Sequence, residues 1–244
     1  MDTIILGDGP LGRAIEQAAR DRGDRPHLIG RPAGGRHEPL ALAGADVIFD
    51  ASSAVSVEGN VEAAIGAGCR RLVIATTGWQ ADAARVASTL ERAGAAAVVA
   101  PNLAIGSAVF LRLVDEAARM FARLVEFDPY VLEWHRRAKA DRPSGTAREI
   151  VRRIASRHPH GEPEIAVIRA GAAPGMHLVG FDAPSETIEL RLTARDRSGY
   201  AAGALAAADW LLATPRRPGI HPFDRVVDDL LAAPADGPSI VTAA

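Results

Sequence analysis

A short apolar run, Thr3–Leu6, leads directly into the turn Gly7-Asp8-Gly9-Pro10-Leu11-Gly12, and a helical pattern follows the turn. Glycines at these spacings let the backbone approach a pyrophosphate closely because no Cβ intervenes, and the positive end of the next helix favours an anion. The same spacing also occurs in ordinary tight turns. Its place between a first strand and a first helix is the context that indicates a dinucleotide-binding βα unit.

Further short apolar runs follow at regular intervals, with helical stretches between them. The predicted strands are His27–Gly30, Asp46–Phe49, Arg71–Ala75 and Ala96–Ala100, and the clearest intervening helix is Gln80–Ala93. Strands that alternate with helices in this way predict an α/β fold with a Rossmann-like, doubly wound parallel sheet. Ligands of such sheets bind beyond the carboxyl ends of the strands, where this chain places Gly, Ser, Thr and Asn.

The pattern changes after about Gly106. A long helix, Ser107–Arg123, precedes a strand-like run that ends at His135, and another helix follows. Three more strand-like runs then occur without helices between them, and the last, Glu186–Ala194, alternates apolar and polar residues. This arrangement predicts a second α+β domain built on a mixed or antiparallel sheet with one covered face. A final helix, Tyr200–Leu212, and a short tail complete the chain.

Composition excludes several functional classes. The formal net charge of −2 provides no basic field for nucleic acid or an anionic membrane. Cys69 is the single cysteine, so a disulfide framework and a cysteine-based zinc site are excluded. The uncharged segment Ala93–Leu111 is interrupted by Pro101-Asn102, which favours a buried strand, a loop and a helix start over a membrane span. No cationic region precedes the first apolar run, and we therefore expect a soluble cytoplasmic protein.

The glycine turn and the ends of the parallel strands supply the candidate cofactor-binding residues. The second strand ends in Gly30-Arg31 and lacks the acidic residue that usually accepts ribose hydroxyls. A guanidinium there suits a 2′-phosphate, which favours NADPH over NADH, although Arg31 could equally be a solvated surface residue. The candidates are Gly7, Asp8, Gly9, Pro10, Leu11, Gly12, Arg31, Ala75, Thr76, Thr77, Ala100, Pro101, Asn102 and Leu103.

A second candidate site surrounds the single lysine of the chain. Lys and Arg total 28, yet Lys139 is the only lysine. His135, Arg136 and Lys139 lie close together in sequence, and Thr146 and Glu149 have capping-box spacing that predicts a helix beginning near Thr146. Cations beside a helix N-terminus favour a carboxylate, and an imidazole can supply a proton near neutral pH. A solvated basic loop before an ordinary helix is the alternative.

The residues from Glu133 to Ala147 read Glu-x-His-x-x-x-Lys-x-Asp-x-Pro-Ser-Gly-Thr-Ala. This segment resembles the signature of the dihydrodipicolinate reductase family (4-hydroxy-tetrahydrodipicolinate reductases). The resemblance extends over most of the chain. It includes the glycine turn, Asp50, Ala75-Thr76-Thr77-Gly78, Pro101-Asn102, Arg169-Ala170-Gly171, Gly175-x-His177, Glu186-x-Ile188-Glu189 and Ala202-Gly203-Ala204.

The resemblance implies NAD(P)H-dependent reduction of a cyclic imine dicarboxylate, 4-hydroxy-tetrahydrodipicolinate or dihydrodipicolinate, to tetrahydrodipicolinate in lysine and diaminopimelate biosynthesis. Hydride would add at ring C4. His135 would then donate a proton and Lys139 would be the essential lysine near the substrate. The implied substrate-binding residues are Arg136, Ser144, Gly145, Thr146 and Thr77. No metal is implied.

The resemblance also implies a dinucleotide-binding domain over residues 1–106 and 216–244, a substrate-binding and oligomerisation domain over 107–215, and a homotetramer. Two departures concern the sites: Arg136 stands where the family usually has a second histidine, and the glycine turn is shorter. They leave open a related reductase acting on another unsaturated or imine acid. A non-catalytic nucleotide-binding regulator is the third possibility. We expect Trp134 to serve packing and His177 to be structural.

Overall fold

The computed structural model describes residues 1–32 and 37–233. The chain divides into two compact units: Met1–Ile105 together with the chain from Arg197 onward, and Gly106–Asp196. Within the described ranges, no helix combines the length and apolar character needed to cross a bilayer.

The first unit contains a six-stranded parallel sheet. Along the chain its strands are β1 (Asp2–Leu6), β2 (Arg25–Ile29), β3 (Val47–Asp50), β4 (Arg71–Ile74), β5 (Ala96–Val99) and β10 (Gly219–Pro222). Their order across the sheet is β10-β5-β4-β3-β1-β2, and all pairs are parallel. The order reverses between β1 and β3. A ligand crevice is therefore expected beyond the carboxyl ends of these two strands.

In the described part of this unit, five α-helices accompany the sheet. They are α1 (Pro10–Asp21), α2 (Val57–Gly66), α3 (Ala83–Arg92), α6 (Ser198–Ala213) and α7 (Phe223–Ala232). Helix α6 packs closely against the chain that follows β5, because a Cβ on Gly203 would lie 1.6 Å from the carbonyl oxygen of Leu103. The sequence placed α6 in the second domain, predicted over residues 107–215. The structure places α6 in the first unit, so the predicted domain boundaries are corrected. Apolar residues lie on every side of α6, so its sequence has no polar face from which its packing partner could be predicted.

The tail expected after Arg216 is also more ordered than predicted. Strand β10 pairs with β5 at the edge of the parallel sheet, and α7 follows it directly. The four-residue strand gave too short an apolar run to be recognised from the sequence.

The second unit is built on a four-stranded mixed sheet. Its elements are α4 (Ile105–Phe121), β6 (Asp128–His135), α5 (Gly145–Ala155), β7 (Glu164–Arg169), β8 (Met176–Ala183) and β9 (Glu186–Thr193). The strand order is β7-β6-β8-β9, in which β6 and β7 are parallel and the other pairs antiparallel. One face is covered by α4 and α5 around a core that includes Phe110, Val131, Ile150, Val179 and Phe181.

The predicted fold class is confirmed: a doubly wound parallel sheet is followed by a second unit with a mixed sheet. The segment Ala93–Leu111 contains β5, a loop and the beginning of α4, as its sequence indicated.

Candidate active site

The glycine turn after β1 is shaped by two close backbone contacts. Gly7 has φ +108°, and a Cβ there would lie 2.4 Å from the carbonyl oxygen of Ala51. A Cβ on Gly12 would lie 1.8 Å from the carbonyl oxygen of Gly7. Gly9 differs, because no atom in the described part of the chain lies within 4 Å of its Cβ position. Internal packing thus requires Gly7 and Gly12, whereas Gly9 leaves open space at the N-terminus of α1.

Two adjoining cavities open at the carboxyl ends of the parallel strands. The larger, of about 340 Å³, is lined by Leu11, Ala51, Ser52, Ser53, Ala54, Ala75, Thr76, Thr77, Ala100, Pro101, Asn102, Leu103, Arg197 and Tyr200. The smaller, of about 200 Å³, is lined by Gly7, Asp8, Gly9, Arg31, Pro32, His37, Ala51, Ser52, Ser53, Ser56 and Asn60. Of the candidate cofactor-binding residues, Pro10 and Gly12 line neither cavity. Pro10 is the first residue of α1, and Gly12 packs against the turn.

A buried carboxylate, Asp50 at the end of β3, organises the wall that the two cavities share. Its Oδ1 accepts hydrogen bonds from Ser52 Oγ at 2.7 Å and Thr76 Oγ1 at 2.7 Å. Its Oδ2 accepts one from Asn60 Nδ2 at 2.8 Å. These bonds connect the loops after β3 and β4 to α2, so that the polar groups facing the cavities are held in place.

The end of β2 differs from the sequence expectation in one respect. Although β2 ends without an acidic residue, the Asp8 carboxyl carbon lies 3.6 Å from the Cβ position of Gly30. Asp8 therefore brings a carboxylate to the end of β2, and it lines the same cavity as Arg31. One oxygen of Asp8 is 3.8 Å from the guanidinium of Arg13.

Arg197 and Tyr200 also line the larger cavity, and the sequence did not indicate them. Arg197 precedes α6, and its guanidinium carbon lies 6.0 Å from the centre of the Tyr200 ring. Neither residue belongs to a recognisable local motif. The predicted domain boundary also placed both residues in a different domain from the other residues that line the cavity.

The second unit contains a polar cluster formed by Glu133, His135, Ser144, Arg169 and His177 at one end of its sheet. Strand register produces it: Glu133 is opposite His177 in the antiparallel pair, and His135 is opposite Arg169 in the parallel pair. Glu133 and His135 are two residues apart on β6, so their side chains lie on the same face. Of these five residues, the sequence assigned a site role to His135 and Ser144 alone.

Glu133 is fully buried at the centre of the polar cluster. Its carboxylate accepts the Ser144 N–H at 2.9 Å and a hydrogen bond from Arg169 Nη2, and His177 Nε2 lies 3.6 Å from Oε2. Burial opposes the charged form, but the proximity of His177 and the hydrogen bonds from Ser144 and Arg169 outweigh burial and hold the pKa of Glu133 well below its usual range.

The imidazole of His135 lies beside this carboxylate. Its Nε2 is buried, has no hydrogen-bond partner among the residues that the structure describes, and lies 3.8 Å from Glu133 Oε2. Burial, followed by the proximity of His177, lowers the pKa of His135 to about 4, against the opposing effect of Glu133. This lowered pKa favours the neutral form of His135 near pH 7.

The cations predicted beside His135 lie in the loop after β6. Lys139 Nζ forms an ion pair with Asp141 Oδ1 at 2.6 Å, and its positive charge acts on the His135 ring. Arg136 is exposed and forms no ion pair with any described residue. Its guanidinium is available for an anionic ligand.

Helix α5 begins at Gly145, and Ser144 is its N-cap, with Oγ accepting the Ala147 N–H at 3.2 Å. The predicted capping box at Thr146 and Glu149 is therefore wrong, because Ser144 already occupies the capping position. Glu149 instead pairs with arginines of the same helix. The first-turn N–H groups of Gly145 and Thr146 are not bonded within the helix and carry its positive dipole end.

The ligand atoms of Glu133, His135 and His177 lie within 4.8 Å of one another, a spacing that could accommodate a metal ion. However, Arg169 already pairs with Glu133, and Ser144 Oγ lies 3.2 Å from His177 Nε2. A guanidinium on the carboxylate disfavours a further cation, so we assign no metal to the polar cluster.

Known proteins match the chain over most of its length. A family model described as the C-terminus of dihydrodipicolinate reductase matches residues 106–227. The 4-hydroxy-tetrahydrodipicolinate reductase of Methanoregula boonei is 35% identical over 202 residues, which cover 77% of each chain. The chain belongs to the dihydrodipicolinate reductase family. The same enzyme of Archaeoglobus fulgidus is 33% identical over 231 residues, covering 86% of each chain.

The solved structures agree on the fold of this reductase. A dipicolinate-bound dihydrodipicolinate reductase from Paenisporosarcina sp. TG-14 superposes with a TM-score of 0.71 at 17% identity, covering 91% of this chain and 97% of that one. The family model and the sequence relatives confirm the family resemblance and the classification of the chain as an oxidoreductase.

Proposed function

We propose that this reductase catalyses the NAD(P)H-dependent reduction of 4-hydroxy-tetrahydrodipicolinate, or of dihydrodipicolinate, to tetrahydrodipicolinate in lysine and diaminopimelate biosynthesis. The observation that carries the proposal is the arrangement of His135, with one unpartnered buried nitrogen, beside Lys139 and the N-terminus of α5. The names of the matching relatives supply the substrate.

The second unit offers the charges that a dicarboxylate requires. One carboxylate would bind the N–H groups of Gly145 and Thr146 and the Thr146 hydroxyl, at the positive end of α5. Arg136 and Lys139 would hold the other, and the guanidinium could do so through two hydrogen bonds. The dipicolinate bound to the structural neighbour is a planar dicarboxylate of the same kind.

The first unit fits a nicotinamide dinucleotide. Gly9 leaves the space at the N-terminus of α1 that a pyrophosphate would occupy, while Thr76, Thr77 and Asn102 line the larger cavity. When bound, the dinucleotide supplies a hydride. Arg31 would bind the 2′-phosphate of NADPH.

His135 would protonate the carbon next to the one that accepts the hydride. The neutral imidazole of the free protein must first gain a proton, and a bound dianionic substrate favours this because nearby negative charge raises a histidine pKa. Proton donation then gives the product imine and returns His135 to its neutral form. Lys139 would stabilise the negative charge that develops on the ring and its carboxylates.

We further propose a cytoplasmic homotetramer that associates through the outer face of the mixed sheet. Trp134 and Ile168 are neighbours in register on this face, and they are 40% and 38% exposed. Exposed apolar residues grouped on a sheet are typical of an interface between subunits. Light scattering coupled to gel filtration tests the assembly, and a monomer would contradict it.

The activity is tested by following NADPH and NADH absorbance with substrate made in situ by the upstream synthase. We expect rapid oxidation that is lost in His135→Ala and Lys139→Ala and retained in Arg137→Ala, a matched change at an exposed position of the same loop. Cofactor binding without oxidation in the wild-type protein would refute the proposal. It would favour a related reductase with a substrate suited to Arg136, or a regulator.

A further inference from the structure

Glu133 has no direct part in the proposed reaction, yet its carboxylate is fully buried and charged. Burying an ion costs several kcal/mol, and an apolar side chain at such a position is often as stable or more so. The carboxylate is therefore poorly explained by stability alone. Its surroundings on the His135 side suggest what it does.

The two ring nitrogens of His135 have different environments. Nε2 is buried and lies 3.8 Å from Glu133 Oε2. A Cβ at position 175 would lie 2.9 Å from Cε1 and 3.1 Å from Nδ1. A side chain there would thus crowd the Cε1–Nδ1 edge of the ring, whereas glycine does not. Because Nε2 faces Glu133, Nδ1 is the nitrogen left to meet a substrate.

We propose that Glu133 is a positioning residue, which keeps the Nε2–H of His135 directed at its carboxylate and so makes Nδ1 the atom that donates the proton. The proposal rests on the proposed function for the identity of the acceptor. The Nδ1–H bond breaks as a C–H bond forms at the enamine carbon, and the enamine electron pair restores the C=N bond. His135 is left neutral with its proton on Nε2, and solvent returns a proton to Nδ1.

The charges around His135 give Glu133 a second effect. Its carboxylate favours the imidazolium, whereas His177 on β8, Lys139 in the loop and Arg169 on β7 oppose it. Removal of the negative charge alone should lower the pKa of His135, and removal of the Arg169 charge should raise it. Neutral substitutions of Glu133 and of Arg169 break the same ion pair, but they are thus expected to shift the pKa of His135 in opposite directions.

The test uses Glu133→Gln and Arg169→Gln in the full chain. Glutamine keeps an oxygen that can accept the Ser144 N–H, and both variants break the buried pair between Glu133 and Arg169. We expect the basic limb of the kcat–pH profile to move to lower pH in Glu133→Gln and to higher pH in Arg169→Gln. A shift of one pH unit corresponds to a roughly tenfold change in kcat on the limb. Equal losses at every pH in both variants would mean a merely structural role.

A second measurement requires neither turnover nor a variant of Glu133. Nitrogen NMR of ¹⁵N-histidine-labelled protein with dipicolinate, with His135 assigned by His135→Asn, reports which nitrogen carries the proton. We expect Nε2–H and a bare Nδ1 in the neutral ring, whereas an Nδ1–H tautomer would overturn the proposal. If the wild-type protein shows no reductase activity but the Nε2–H tautomer is present, the proposed function fails and the orientation by Glu133 stands.

Discussion

Replacement of Gly9 by alanine separates the demands of folding from those of cofactor binding. Gly9 has φ −69° and ψ 177°, which any residue adopts, and no atom of the described residues lies within 4 Å of its Cβ position. The added methyl group therefore meets no atom of residues 1–32 or 37–233. We expect Gly9→Ala to change the free energy of unfolding by less than about 0.5 kcal/mol, as for an unconstrained surface position.

The same methyl group should obstruct the nucleotide. It would project into the open space at the start of α1, where close approach of a pyrophosphate requires a bare backbone. If it displaces the phosphates from the first-turn N–H groups, the loss of one or two charge-assisted hydrogen bonds costs about 1.5–3 kcal/mol. A cost of this size weakens NADPH binding by roughly 10- to 100-fold.

Isothermal titration with NADPH and thermal unfolding together test this prediction. Gly106→Ala is the matched control, because its Cβ position is equally open but lies in α4 of the second unit. Gly12→Ala is the opposite case, since its Cβ would lie 1.8 Å from a carbonyl oxygen and should lower the melting temperature markedly. Unchanged NADPH affinity in Gly9→Ala would refute the placement of the pyrophosphate at this turn.

Further predictions concern cofactor choice, the proton donor and pH. Arg31→Ala should reduce kcat/KM for NADPH more than for NADH. Asp8→Asn should raise kcat/KM for NADPH relative to NADH, because it removes a negative charge that repels a 2′-phosphate. Gly175→Ala should lower kcat by displacing the His135 ring, at a Cβ distance of 2.9 Å, while dipicolinate affinity measured by titration changes less. The pKa of His135 falls from 6.5 in the unfolded chain to about 4 in the folded protein, so the unfolded state binds the extra proton and stability should decline as pH falls through this window. Urea midpoints at pH 7 and 4.5 should differ less in His135→Asn.

Much of the fold was predictable because its strands are short apolar runs that end in distinctive turns. β1 with its glycine turn and the strands from β3 to β5 lie close to their predicted positions. Helix α6 was assigned to the wrong unit, because a helix with apolar residues on every side carries no sign of its partner. β10 was missed since its four residues gain strand structure from pairing with β5.

The part of the candidate site that could be proposed from the sequence consists of residues that are close together in the chain. His135, Arg136, Lys139 and the start of α5 lie within one short segment. Arg169 and His177 were not assigned, because strand register across the sheet brings them to Glu133. One feature of the sequence could have indicated the position of Glu133. It shares a face of β6 with His135 and with the apolar residue Val131, so the carboxylate is expected on the buried face of the strand.

The burial of His135 has a consequence for the choice among the functional hypotheses. A proton donor that is neutral at pH 7 in the free protein is of little use to an acid catalyst unless the ligand brings the charge that favours protonation. A substrate with two carboxylates brings this charge, and the N-terminus of α5 with Lys139 provides the means to hold it. A regulator that merely senses a dicarboxylate would bind as well with an exposed amide at position 135. The buried carboxylate beside the ring and the glycine at position 175 are features that suit a proton donor, because they control the orientation of the imidazole and favour its protonated form.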